Sequence, residues 1–187
     1  MIIGLSGPNA IGKTTAVRRW CLRYPSLIAA LADNQRETTG ADWEKVLSSP
    51  PNLHAWKHDI KEKEERVEYH RSADSITVID SARTTCLNFF LPGEPILLVT
   101  CSWEAMERNL RERCEKSEKT YRADYWDRKK LEYESSRRYL GWRQKYTNLD
   151  AKAFSIEDRE KDWEAVDDYF GSLYRRLNNL LVKRRRK

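Results

Sequence analysis

Residues 7 to 14 read Gly7-Pro8-Asn9-Ala10-Ile11-Gly12-Lys13-Thr14, the complete pattern G-x-x-x-x-G-K-[ST]. A short apolar run, Met1-Ile2-Ile3-Gly4-Leu5-Ser6, precedes it, and a helical pattern opens at Thr14-Thr15-Ala16-Val17. Strand, loop and helix therefore follow in the order the pattern needs. In such a turn successive backbone N–H groups converge on a phosphate, and the helix N-terminus adds its partial positive charge. The residues expected to hold ATP are Gly7, Asn9, Ala10, Ile11, Gly12, Lys13, Thr14 and Thr15. Lys13 would reach the β- and γ-phosphates, and the Thr14 hydroxyl would ligate Mg²⁺.

The rest of the chain extends that unit. The helix after the loop should end near Tyr24-Pro25. Further strands are expected at Leu27–Ala32, at Ser75–Ile79 closing on Asp80, at Ile96–Cys101 and at Ala153–Ile156. Helical patterns occupy 41–47 and 53–73, divided by Pro50-Pro51, then about 103–146 with a break near Lys119-Thr120, and 160–182. Apolar strands alternating with helices predict a parallel sheet of about five strands covered on both faces, a three-layer α/β P-loop kinase fold with a helical lid. Ligands in such sheets sit beyond the carboxyl ends of the strands, which singles out Asp33, Arg36, Asp80, Arg83 and Ser102. The last helix carries Trp163, Val166, Phe170, Leu173, Leu177 and Leu181 at steps of three and four, a core-facing stripe. Its start is acidic and its end basic, in agreement with the helix dipole.

A chain of 187 residues suits one domain, expected over 1–182 with a lid at about 103–146 and a basic tail at 183–187. Charged residues make up 34% of the chain, and the apolar stretches are too short to span a bilayer. The start carries no basic leader, so the protein is expected to act in the cytoplasm where it is made, the host cytoplasm if viral. Cys21, Cys86, Cys101 and Cys114 form no C-x-x-C pair and should be free thiols. His54 and His58 lack a third metal-ligand neighbour. The net charge of +6 is concentrated: residues 108–143 hold twelve Lys/Arg against seven Asp/Glu, and 183–187 are all Lys or Arg. Two basic zones on an otherwise acidic body suit a polyanion larger than one nucleotide, although a solvated helix surface and a solvated end would look the same.

A phosphate loop alone leaves kinase, GTPase, motor ATPase and nucleotide sensor open. GTPases need an N-K-x-D base-reading tetrad, which is absent; motor ATPases close a strand on consecutive acids, whereas Asp80 precedes Ser81. A phosphotransferase is left in front. Asp33, at the end of the second strand, can accept the proton of an attacking hydroxyl, and Arg36 can grip a phosphate of the acceptor; an Asp-Asn turn with a surface arginine is the alternative. Asp80 is either a water-mediated partner in the Mg²⁺ shell or a helix N-cap. Arg108, Arg111 and Arg113 head the lid, and at least one should reach the nucleotide, because phosphoryl transfer is catalysed mainly by positioning and charge neutralisation.

These residues resemble the P-loop nucleoside, nucleotide and polynucleotide kinases, and most of all the kinase module of phage-type 5′-polynucleotide kinase. The likeness is carried by Gly7–Thr14, Asp33-Asn34-Gln35-Arg36, Arg108-Asn109 with Arg111 and Arg113, and Tyr133 to Gly141, over roughly residues 1 to 145. It implies Asp33 as the base, Arg36 as the clamp on the acceptor phosphate and a lid arginine as the stabiliser of the transition state. No second catalytic domain follows, so a bifunctional end-repair enzyme is not expected. Arg36-Glu37-Thr38-Thr39-Gly40 is similar to the Arg-Glu-Pro-Gly segment of thymidylate kinases but lacks the proline, and Asp80-Ser81 replaces their Asp-Arg. Compact phage kinases that phosphorylate 5-hydroxymethyluracil in DNA belong to the same superfamily. The expected function is ATP-dependent transfer to a hydroxyl on DNA, either that hydroxymethyl group or a 5′-hydroxyl end. A deoxynucleoside or nucleoside-monophosphate kinase and a nucleic-acid-binding ATPase are the alternatives. Trp43, Trp56, Tyr125, Trp126 and Trp142 are candidate base-stacking surfaces.

Overall fold

Hydrophobic runs bounded by polar turns produce, in chain order, β1 (Ile2–Ser6), α1 (Lys13–Arg23), β2 (Leu27–Leu31), β3 (Arg36–Thr39), α2 (Ile60–Ser72), β4 (Ile76–Ser81), β5 (Pro95–Thr100), α3 (Trp103–Lys116), α4 (Ala123–Tyr139), β6 (Asp150–Ser155) and α5 (Asp162–Arg185). The computed structural model describes residues 1–8, 10–31, 36–39, 60–81, 88–116, 123–139 and 150–186, without the side chains of 36–39, 60, 81, 116, 123, 132, 135–139 and 150. The strands form one sheet in the order β3-β2-β4-β1-β5-β6. Five of them are parallel, and β3 runs antiparallel to β2 at the edge. This is a three-layer α/β fold around a mostly parallel sheet, as the sequence predicts, with one strand more than expected among the described residues.

Alternation along the central strands divides the core in two. Ile3 and Leu5 of β1 point to the face covered by α1 and α5, where Trp20, Phe170, Trp163 and Val166 are buried with them. Ile2 points the other way and packs with Val67 of α2, Ile79, Phe90 and Ile96. The α1–α5 contact is aromatic: Trp20 stacks on Phe170 with ring centroids 3.8 Å apart, and Tyr24 on Tyr174 at 4.2 Å. The stripe predicted on the last helix is buried at all six positions. Burying side chains of this size stabilises the fold by about 1.5–3 kcal/mol each.

Boundaries differ from the sequence reading where neighbours decide them. β4 continues past Asp80 to Ser81, because Ser6 of β1 extends the ladder that far. β6 starts at Asp150, paired with Pro95, rather than at 153. β3 was not anticipated: Arg-Glu-Thr-Thr is short and polar, and it is a strand only through its pairing with β2. α5 continues past 182 to Arg185, since no Gly or Pro follows Val182 and cations suit a helix C-terminus. Cys21, Cys101 and Cys114 are buried thiols in no disulfide among the described residues, while Cys86 lies outside them. So do 41–47, 53–59, the break near 119–120, and His54, His58, Trp43, Trp56 and Trp142. No described helix is long and apolar enough to cross a membrane.

Candidate active site

The loop leaves β1 at the carboxyl edge of the sheet and is shaped by close approach. A Cβ on Gly7 would lie 2.3 Å from the carbonyl oxygen of Val99 and 2.5 Å from its Cγ2, so only glycine lets the chain pass β5 here. Ala10 at φ 61° and Gly12 at φ 103° adopt left-handed conformations, which turn the chain sharply into α1. Gly12 is the N-cap of α1 and supplies no side-chain cap. The first N–H groups of that helix are thus left for an incoming anion.

Lys13 is buried, 7% exposed, and its Nζ donates to the carbonyls of Gly7 and Pro8, both at 3.0 Å. The ammonium is held inside the loop it would serve. The Thr14 Oγ1 donates to Asp80 Oδ2 at 3.2 Å, and that carboxylate is 6% exposed. Asp80 stands in register with Leu5 of β1 and Leu31 of β2, and Leu31 with Arg36 of β3. Thr14, Asp80 and the start of β3 therefore share the carboxyl edge. Asp33, between β2 and β3 in the sequence, lies outside the described residues, as do Asn9, Arg83 and the Arg36 side chain. Thr15 is exposed and Ile11 fully buried.

A brace that the sequence reading missed holds the loop from below. Trp163, at the start of α5, donates its indole N–H to the Ile11 carbonyl at 2.9 Å, and its ring would lie 2.9 Å from a Cβ on Gly12. The sequence places Trp163 in the core stripe, which is correct, but periodicity does not reveal where a polar edge points. The turn before α5 is itself pinned. The Glu157 carboxylate accepts from the Ser102 N–H at 2.9 Å, the Ser102 hydroxyl at 2.6 Å and the Ser155 hydroxyl at 3.0 Å. The Ser102 hydroxyl bond is the largest of the effects that hold this carboxyl below its usual range. Asp162 accepts the N–H groups of Glu157 and Asp158, each at 2.7 Å.

The three arginines expected to head a lid divide. Arg108 donates to the Glu157 carbonyl at 2.6 Å, which ties α3 to the pinned turn. Arg111 pairs with Glu107 at 3.0 Å and lies 4.2 Å over the Trp126 ring of α4. Arg113 is exposed. Among the described residues no hydrogen bond or ion pair joins these three to the phosphate loop. Tyr133 of α4 donates to the Cys101 carbonyl at 2.8 Å and packs near Trp103, so α4 is fastened next to the carboxyl end of β5.

No family model matches the sequence, and no curated protein matches it. Among solved structures the chain is similar to the shikimate kinase of Aquifex aeolicus, at 15% identity and TM-score 0.49 over 93% of this chain and 98% of that one. It is likewise similar to the shikimate kinase of Bacteroides thetaiotaomicron, at 14% identity and TM-score 0.48 over 94% of this chain and 98% of that one. A third likeness is to the signal recognition particle receptor FtsY of Elizabethkingia anophelis in complex with GDP, at 20% identity and TM-score 0.37 over 61% of this chain and 44% of that one.

Proposed function

We propose that this chain is an ATP-dependent kinase that transfers the γ-phosphoryl group to a hydroxyl carried on DNA, with the hydroxymethyl group of a modified pyrimidine as first acceptor and a 5′-hydroxyl end as second. The observation that carries the nucleotide half is the loop at Gly7–Thr14, with buried Lys13 folded into it and Thr14 joined to buried Asp80. The charge distribution favours the polymeric acceptor: cations gather on 108–143 and at the end of α5.

The loop N–H groups and the start of α1 would bind the β- and γ-phosphates, and Lys13 would turn its ammonium from the Gly7 and Pro8 carbonyls towards them. A hydroxyl and a buried carboxylate are hard oxygen donors, and such a pair beside a phosphate loop fits Mg²⁺, which keeps most of its ligands as water and phosphate. Held by Thr14 and, through water, by Asp80, the ion would neutralise charge developing on the phosphates. Asp33 would take the proton from the acceptor hydroxyl as its oxygen bonds to the γ-phosphorus; the bond to the β,γ-bridging oxygen breaks, ADP leaves and the proton passes to solvent. Arg36 would hold a phosphate of the acceptor, with Arg111 and Arg113 at the transferring group and Arg108 at the nucleotide.

ATP labelled at the γ-phosphate, offered with free nucleosides, free nucleotides, plain DNA and 5-hydroxymethyluracil DNA, tests the reading. Label on hydroxymethyluracil DNA or on 5′-hydroxyl ends is expected. Label on free nucleosides or nucleotides alone would overturn the DNA acceptor, and phosphate release without a labelled acceptor would overturn the kinase. Asp33→Asn should bind ATP as tightly as the wild type and lose transfer by at least about a hundredfold, the usual scale for a general base. Retained transfer would remove Asp33 from that role.

A further inference from the structure

α5 is electrically divided along its length. The turn and first half, 157–168, contain seven Asp/Glu and two Lys/Arg, whereas 169–187 contain seven Lys/Arg and no acid. The acidic half lies against the phosphate loop through Trp163 and Ile11. The basic half ends at the opposite pole of the sheet, where Arg185 donates from Nε to Asp74 Oδ2 at 2.6 Å and from its terminal nitrogen to the Asp74 carbonyl at 2.7 Å, in the turn before β4. At 1.5 Å per residue the 24 residues of α5 separate the two poles by about 36 Å. The basic end is therefore not part of the rim around the reacting phosphate.

That end has a defined surface. Arg176, Asn179, Lys183 and Arg186 follow one another at steps of three, four and three and are all exposed, as is Arg184. The ion pair with Asp74 fixes the last turn against the body, so these cations are presented on an anchored helix rather than on a loose end. Other acids near this pole are already engaged: Glu94 and Glu68 pair with Arg71. The apolar positions of the same half, Phe170, Leu173, Leu177 and Leu181, are buried against α1 and the sheet. With that stripe occupied, Leu180 is the one large apolar side chain of this half that is exposed, too little to form a face that sinks into a bilayer, and charge dominates the surface on offer.

We infer that the distal end of α5 is a second docking site, for the phosphodiester backbone of a nucleic acid, separated from the phosphate loop by the length of the helix. It deepens the proposed function by showing how a polymeric acceptor is held, and it rests on that reading only for the identity of the polymer. A duplex touching both poles must extend about one helical turn, roughly ten base pairs. Shorter acceptors reach one pole at a time.

The test is duplex DNA binding by fluorescence anisotropy against salt concentration, without ATP, for wild type and for the triple variant Lys183→Gln, Arg184→Gln, Arg186→Gln. Arg185 is kept so that the helix end stays anchored. Each phosphate contact adds about 0.9 to the slope of log K against log salt, so the variant should lose about two to three units of slope. Wild-type affinity should rise as the duplex is lengthened past about ten base pairs, and the variant should show no such step. An unchanged slope in the variant overturns the inference, as does wild-type binding to phosphatidylserine vesicles but not to DNA, or to neither. ATP binding is measured in parallel: its retention in the variant reports an intact fold, and its absence in the wild type would sink the kinase while leaving the docking result standing.

Discussion

Replacing Trp163 by Phe isolates the brace beneath the phosphate loop. The buried indole N–H donates to the Ile11 carbonyl, and Ile11 itself is fully buried, so phenylalanine leaves that carbonyl without its partner. An unpaired buried acceptor costs about 1–3 kcal/mol. The smaller ring also leaves space against Gly12 and Trp20, adding about 1 kcal/mol. Urea unfolding should therefore show a loss of about 2–4 kcal/mol. If the indole also sets the loop's position, the ATP dissociation constant should rise about tenfold, equivalent to about 1.4 kcal/mol of positioning. Trp20→Phe is the control: its indole donates to Asp167 at 2.7 Å, but Arg19 still holds that carboxylate, and the bond is remote from the loop carbonyls. It should cost stability and leave ATP affinity unchanged. Equal loss of affinity in both variants, or none in Trp163→Phe, would refute the positioning role even if stability fell.

Gly7→Ala drives a Cβ into the backbone of β5, which neighbours hold on both sides, so destabilisation at or above the usual 1–3 kcal/mol for overpacking is expected; a wild-type melting temperature would contradict the close-approach argument. Asp80→Asn keeps an acceptor for Thr14 but removes the charge, and should weaken ATP binding in the presence of Mg²⁺ while leaving metal-free binding almost unaltered. A calorimetric titration with the same Mg²⁺ dependence as wild type would exclude Asp80 from the metal shell. Burial pushes the Cys21 and Cys101 thiols up to about 12, whereas in the unfolded chain they ionise near 8.5. Between those values the folded state retains protons that the unfolded state releases, so stability should fall as pH rises from about 9 towards 12. The double Cys→Ser variant should flatten that decline, and an equally steep profile would assign it to other groups.

Much of this architecture is readable from local pattern, because the physics there is local. The loop is written in Gly7, where a Cβ would strike β5, and Gly12 at a positive φ, and the buried strands are continuous apolar runs. What escaped depends on partners far away in sequence. β3 has no apolar period and exists through its ladder to β2. The Trp163 bond to Ile11 spans 152 positions, and the Glu157 bonds to Ser102 span 55, so neither has a short-range signature. The basic end of α5 was visible as composition, but its place at the far pole emerges only from the direction of the helix and the Asp74 contact.

That direction also constrains how a polymer can approach the phosphate loop. Glu160, Glu164 and Asp168 are exposed on the acidic half of α5, and a phosphodiester chain running along that flank would meet like charge. Arg108, Arg111 and Arg113 of α3 are exposed too, and Arg128 and Lys130 of α4 add to them. The proposed acceptor would therefore reach the loop on the side of α3 and α4, and a duplex that spans both poles must run clear of Glu160, Glu164 and Asp168. Local charge reversal at the acidic half and neutralisation at the basic half should then act in opposite senses on the same salt-dependent binding, because both alter one polyanion's path.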